Sequence, residues 1–346
     1  MGLASLLAAS GLAFAIPMAP PPPGTATFTV PEGYELADAG FLEPGNLTNY
    51  GSFLRASMQV EDRLDNHGFM SMGDGRGEGT FIPGGDSAGQ ITNHPTGIML
   101  FDLAGVWLDI YSPHGSLVNH GTIRVTGNGA GFALVRGQVI NHGDFIVASP
   151  NMSCAFDTSG RNSGTIINGG RWVVNAGTRC EGYSTNKYPN FLQLLSRGET
   201  LVNGRFAAKS LYIRGGVLGG AGTLTVSGAP SEIGPQAVLS PGAGANRTGT
   251  LTVNGPLTLE GGLDMEIAGT AAGTFDAVTI NGNATLGGTL NVLLRNGYTP
   301  AAGSVFPILA ATSATGEFAR LNLPPLPSGL AWSVEYTGTT VNLRVQ

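Results

Sequence analysis

Charge is scarce in this sequence: Asp, Glu, Lys and Arg make up 12% of its 346 residues, against roughly 25% in an ordinary globular protein. Only two lysines occur, Lys187 and Lys209, and 23 acidic residues outnumber 17 basic ones. No basic block is present to follow a phosphate backbone, which argues against a nucleic-acid partner. Cysteine is nearly absent too. Cys154 and Cys180 are too few for a metal centre of their own and form no Cys-x-x-Cys pair. Helical periodicity is almost missing, and the one stretch with a claim to it, Phe191 to Leu195, reads equally well as strand. No apolar run is long enough to span a bilayer. Low charge beside 42% hydrophobic residues excludes disorder, which needs the opposite balance.

What is abundant is glycine, 55 residues without a three-residue period, a composition that suits many tight turns between short strands. Part of it belongs to a repeated triplet, Asn-(His/Tyr)-Gly. Copies stand at Asn49-Tyr50-Gly51, Asn66-His67-Gly68, Asn119-His120-Gly121 and Asn141-His142-Gly143, with degenerate forms at Asn93-His94-Pro95, Asn162-Ser163-Gly164 and Asn203-Gly204. An apolar residue precedes most of these Asn residues by two positions (Leu47, Leu64, Ile91, Leu117, Val139, Leu201). Another usually follows by four (Phe53, Met70, Ile123, Phe145, Ile166). Recurrence at such intervals marks a solenoid, whose repeats bury their apolar faces only by stacking.

Side chains alternate along a strand, so positions −2, 0, +2 and +4 around each Asn share one face. That face reads apolar, Asn, Gly, apolar, and its apolar members must point into a core. The Asn therefore points inward and needs a partner for its amide. A parallel β-helix supplies one, because each Asn meets the Asn of the next coil about 4.8 Å away. The expected structural ladder is Asn49, Asn66, Asn93, Asn119, Asn141, Asn162 and Asn203. The Gly is expected to let the chain turn a corner, and the residue between them to face solvent.

Residues 1–15 read as a signal peptide, an apolar run from Leu3 to Phe14 ending in the small-x-small site Ala13-Phe14-Ala15. Residues 16–24 read as a Pro-rich polyproline II spacer. Residues 25–215 hold the Asn-(His/Tyr)-Gly coils, interrupted by insertions at 73–90 and 180–197 that read as projecting loops. Cys154 and Cys180 lie 26 residues apart, close to one repeat, so an exported solenoid would bring them near enough for a disulfide.

A second repeat begins near Gly215. The segment Gly222–Gly228 (Gly-Thr-Leu-Thr-Val-Ser-Gly) recurs at Gly249–Gly255 and weakly at Gly288–Val292, with Leu239-Ser240-Pro241-Gly242 between the first two. This order resembles the passenger repeats of bacterial autotransporters and related secreted surface proteins. Phe275-Asp276-Ala277-Val278, Gly316-Glu317-Phe318 and the closing Val341 to Val345 resemble the C-terminal module of the same group. The resemblance covers about residues 215–346, divided as passenger-like repeats over 216–262 and a C-terminal β module or cap over 263–346. It implies a right-handed parallel β-helix displayed outside the cell, and it carries no catalytic residue. The family's translocator barrel does not follow the module in this sequence, which implies another export route or a fragment of a longer chain.

Sites are weakly signalled. Gly85-Asp86-Ser87-Ala88-Gly89 fits the nucleophile-elbow pattern but lies in a Gly/Pro stretch with no helix signal after it. His67, His94, His120 and His142 would form one outward column, candidate ligands for Zn²⁺ or Cu²⁺ but without a third convergent ligand. Asp62, Asp65, Asp74 and Glu78 surround a Gly-rich stretch whose spacing matches neither common Ca²⁺ motif. Asp102, Asp109 and Arg124, with Trp107 and Tyr111 nearby, are the only residues to nominate for polysaccharide chemistry, and no paired carboxylate motif accompanies them. The expectation is a secreted structural or adhesive β-solenoid at the cell surface, without catalytic residues or cofactor. It would associate with itself, the strand-prone Thr25–Val30 segment pairing with a neighbour's open edge, or with cell-surface glycans. The alternative is an extracellular β-helix that binds or cleaves polysaccharide.

Overall fold

The computed structural model describes residues 15–22, 24–37, 41–42, 45–60, 62–72, 79–83, 89–102, 106–110, 115–135, 137–156, 164–181, 188–228, 231–242 and 248–346. Within these, the side chains of 41–42, 55–60, 72, 79–83, 106–110, 131–135, 153 and 155–156 are outside the description. Among the described residues the chain is all strand, 38 strands with no helix. Most strands pair in parallel with the third strand before and the third after. Arg63–Asn66 pairs with Gln90–Asn93, Phe69–Met72 with Ile98–Phe101, and Gly79–Pro83 with Val106–Ile110. Three strands therefore make one coil and the coils stack in register: the fold is a parallel β-helix.

The chain divides into two compact units, residues 1–167 with 178–189, and residues 168–177 with 190–346. In the first, period-two alternation sets the core directly. Phe28, Leu47, Leu64, Ile91, Leu117 and Val139 align from coil to coil as one buried column. Leu36, Phe53, Met70, Met99, Ile123 and Phe145 form a second, each at most 1% exposed. Within each strand the intervening residues, such as Thr122 and Arg124, stay half-exposed. Full burial of side chains this size contributes about 1.5–3 kcal/mol apiece, and only stacking removes both faces of each from water.

In the second unit Trp172, Phe191 and Phe206 fill the interior, their ring centroids 5.2–6.2 Å apart. Beyond them Leu218, Leu239, Leu263 and Leu290 continue as a buried column. Parallel stacking runs on through Val305–Gly316 and Arg320–Asn322. Only then does the direction reverse: Thr340–Val345 pairs antiparallel with Val305–Gly316 on one side and Trp332–Tyr336 on the other. The cap is this closing hairpin, and most of residues 263–346 still belongs to the stack.

Three expectations need correction. Residues 16–24 are not wholly a spacer, because Ile16–Pro17 pairs in parallel with Tyr34–Ala37. Thr27–Val30 is bonded within its own chain, in register with Asn46–Asn49, with Phe28 and Val30 buried. It is a rung of the first unit rather than a strand held out to a neighbour. The 73–90 and 180–197 segments are not all loop, since Gly79–Pro83 is a strand paired with Val106–Ile110 and Asn190–Gln193 is a strand paired with Ser210–Ile213. Of the candidate signal peptide at 1–15, residues 1–14 lie outside the described residues.

Candidate functional site

The polar interior of the first unit is a ladder of amides. Asn49, Asn66, Asn93, Asn119 and Asn141 share one register position, and all five are fully buried. Asn49 Nδ2 donates to Asn66 Oδ1 at 2.8 Å, Asn66 to Asn93 at 2.7 Å, Asn93 to Asn119 at 2.8 Å and Asn119 to Asn141 at 2.7 Å. The same nitrogens reach backbone carbonyls around the corner: Phe69 O at 2.9 Å, Ile98 O at 3.3 Å, Gly97 O at 3.0 Å and Asp144 O at 3.0 Å. Every amide points the same way, so donors and acceptors are consumed rung by rung. The chain of bonds begins on Asn49 Oδ1, a buried oxygen with no protein donor among the described residues.

Glycine beside each Asn is required for closeness. A Cβ at Gly68 would stand 2.1 Å from Gly51 O, at Gly121 2.2 Å from Gly97 O, and at Gly143 2.1 Å from Gly121 O. None of these glycines has a positive φ, so the corner needs missing atoms rather than left-handed backbone. The degenerate copy Asn93-His94-Pro95 follows the same rule: Pro95 and Thr96 are inserted, and Gly97 takes the corner, its Cβ position 2.3 Å from Asn66 O.

Of the other expected members, Asn162 lies outside the described residues, and Asn203 does not join. It sits half-buried just past Glu199–Val202, its Oδ1 accepting from Ala221 N at 3.2 Å. The second unit instead buries Asn168, whose Nδ2 donates to Gln193 Oε1 at 3.1 Å. Thr200 Oγ1 donates to the same Gln193 oxygen at 2.8 Å, and Gln193 Nε2 goes on to Gly215 O at 2.8 Å. Past Gln193 the register position turns apolar, through Ile213, Ile233, Leu259 and Leu286. Asn168 had a signal: Ile166 stands two residues before it, as Leu47 does before Asn49. Gln193 had none beyond Phe191 at the same offset.

Outside the ladder the ring residues stack on one another. Tyr50 and His67 have centroids 4.7 Å apart, His67 and His94 3.7 Å, and His120 and His142 5.1 Å, all nearly parallel. They are not uniformly solvent-facing, since His67, His94 and His142 are half-buried. His94 Nε2 lies 2.9 Å from Asp65 Oδ1, and Arg63 grips the same carboxylate from its own strand. Burial pushes the Asp65 carboxyl up, but the bonds from Arg63 and His94 together hold it below its usual range. Burial, then the neighbouring His94, lowers the pKa of His67. Lone pairs of face-to-face rings lie in parallel planes and do not converge on one point, so the column is poor chelating geometry. Among the described residues no three His, Cys, Asp or Glu side chains gather to hold a metal.

Cys154 and Cys180 are joined as a disulfide between neighbouring coils, with Cα atoms 5.7 Å apart. Asp276 stood in the sequence only as part of the Phe275-to-Val278 stretch, with no role assigned to it. It is fully buried and takes Gly249 N on one carboxylate oxygen and Glu266 N on the other, both at 2.8 Å. Burial pushes its pKa up to about 7 against those two amides. Of the residues nominated for polysaccharide chemistry, Asp102 and Arg124 are described and half-buried, whereas the Trp107 and Asp109 side chains and all of Tyr111 lie outside the described residues. The same holds for Asp86-Ser87-Ala88 of the elbow-like stretch, and for Asp74 and Glu78.

No protein-family model matches the chain, and no curated protein matches it either. The ladder is chemically quiet: its amides do not titrate, and apart from Asn49 Oδ1 the hydrogen bonds described above keep them within the stack. What it supplies is register and rigidity.

Proposed function

We propose that this protein is a secreted structural or adhesive β-solenoid, non-catalytic, that associates with itself at or near a cell surface. The observation that carries the reading is the destination of its polar side chains. The inward Asn residues bond one another and the outward rings stack on one another, so these groups build the scaffold rather than converge on a ligand. Low surface charge supports the same reading, because it removes the repulsion that keeps like copies apart. The resemblance of residues 215–346 to secreted passenger repeats favours export and display. A disulfide between adjacent coils fits an oxidising destination.

Negative-stain electron microscopy and sedimentation of the purified chain test this reading. Concentration-dependent oligomers, fibres or layers are expected. Monodisperse single chains at high concentration, or measurable cleavage of any polysaccharide in a substrate panel, would sink it.

A further inference from the structure

The closing strand Trp332–Tyr336 leaves one edge of its sheet unpaired. Ala331 and Gln346 exchange both backbone hydrogen bonds, and the antiparallel register then turns Ser333 and Glu335 toward Thr340–Val345. Alternation directs the N–H and C=O groups of Trp332, Val334 and Tyr336 the other way. Among the described residues, which include all from 248 to 346, no strand pairs there.

Edge strands are ordinarily protected by proline, lysine, bulges or shortness. The first described strand of the chain illustrates this. In Ile16–Pro17 the amides of Ile16 and Met18 bond Gly33 and Glu35 carbonyls, leaving Pro17, which has no N–H, on the outer edge. In the parallel stack, the last strand Arg320–Asn322 is only three residues long and is followed by Pro324 and Pro325. Trp332–Tyr336 carries neither device. It has five residues with no Pro or Lys, and its single charge, Glu335, is matched within the hairpin by Arg344 at 2.7 Å. Trp332, Val334 and Tyr336 present a half-buried apolar row on one face.

We propose that this edge joins a second copy of the chain, the two Trp332–Tyr336 strands pairing antiparallel about a two-fold axis through Val334; the proposal rests on the self-association reading above and names its contact. The sequence of the strand is self-complementary in that register. Val334 meets its own copy, Trp332 meets Tyr336, and Ser333 meets Glu335, so no like charges stand opposite one another. The residues with outward amides coincide as hydrogen-bonded pairs, each exchanging both bonds. Trp332 and Tyr336 form cross-strand aromatic pairs at both ends. A two-fold joint uses the same patch twice and closes, so one strand edge suffices.

Sedimentation equilibrium of the full chain, its Val334→Pro variant and its Val334→Cys variant tests the proposal. Proline at 334 removes an outward N–H and leaves the bonds within the hairpin intact. By symmetry it deletes two intermolecular bonds, so association should weaken roughly tenfold or more. In Val334→Cys the new thiol is the only one, since Cys154 and Cys180 are already joined, and mild oxidation should yield a covalent dimer. If wild type associates but Val334→Pro associates equally well, the joint lies elsewhere and this proposal fails while the proposed function stands. If wild type remains a single chain at every concentration, both fail. Should Val334→Pro misfold, the cysteine variant decides alone: no cross-linked dimer from an associating chain overturns the proposal.

Discussion

Truncating the ladder at two positions separates its hydrogen-bonding role from simple packing. Asn93→Ala in the middle removes an acceptor for Asn66 Nδ2 and the donor to Asn119 Oδ1, leaving two buried polar atoms short of partners. Each such orphan costs about 1–3 kcal/mol, so the hydrogen-bonding loss is about 2–6 kcal/mol. Asn49→Ala at the start removes a single bond within the ladder, the donor to Asn66 Oδ1, and, as at Asn93, the amide's bonds to corner carbonyls, which are lost in both variants. It also deletes Asn49 Oδ1, which is already buried with no donor, so the number of orphans does not change. The volume lost is the same in both variants, and the cavity contribution largely cancels in their difference. Asn93→Ala should therefore be the less stable of the two by about 2–6 kcal/mol. Urea unfolding followed by far-ultraviolet circular dichroism reads the difference, and native-state hydrogen exchange locates it, because repeat arrays need not unfold in one step. Equal stabilities, within about 0.5 kcal/mol, would refute the reasoning and mean that water replaces the missing amide.

Two further outcomes follow from the covalent and ionic features. Replacing Cys154 and Cys180 together with alanine should destabilise the first unit by about 3.5 kcal/mol, the loop-closure value for their 26-residue separation; thermal unfolding with and without reductant measures it. Asp276 titrates near 7 when folded, above the ordinary carboxylate value, so between about 4 and 7 the folded chain holds a proton that the unfolded chain has released. Its contribution is complete below about 4 and is lost as pH rises through 7. Urea unfolding across that range should show wild type losing stability relative to Asp276→Asn, and parallel pH profiles would refute the assignment.

Much of the architecture was legible because the signals were local. The Leu47/Asn49, Leu64/Asn66 and Leu117/Asn119 pairs each state which face is inward, and one strand is enough to read them. Asn203 misled for the same local reason: it stands near a Gly and follows Leu201 by two, yet the strand ends at Val202 and its side chain turns out of the register. Ile166 was legible as apolar and inward, but it stands both four residues after Asn162 and two before Asn168, and only the structure shows that Asn168 is a buried amide. The Trp332–Tyr336 edge was not legible at all, since every strand in the sequence looks pairable.

The sequence by itself determined the fold class, the inward position of the repeated Asn and the presence of a glycine beside it, because period-two alternation and the need to satisfy a buried amide are properties of a few consecutive residues. Only the tertiary structure decided where the ladder starts and stops, why the glycine cannot be alanine, which carboxylate is buried and which edge is left open. Those depend on what lies one coil away, and that neighbour is fixed by the lengths of the intervening loops and by steric contact, neither of which a single strand encodes.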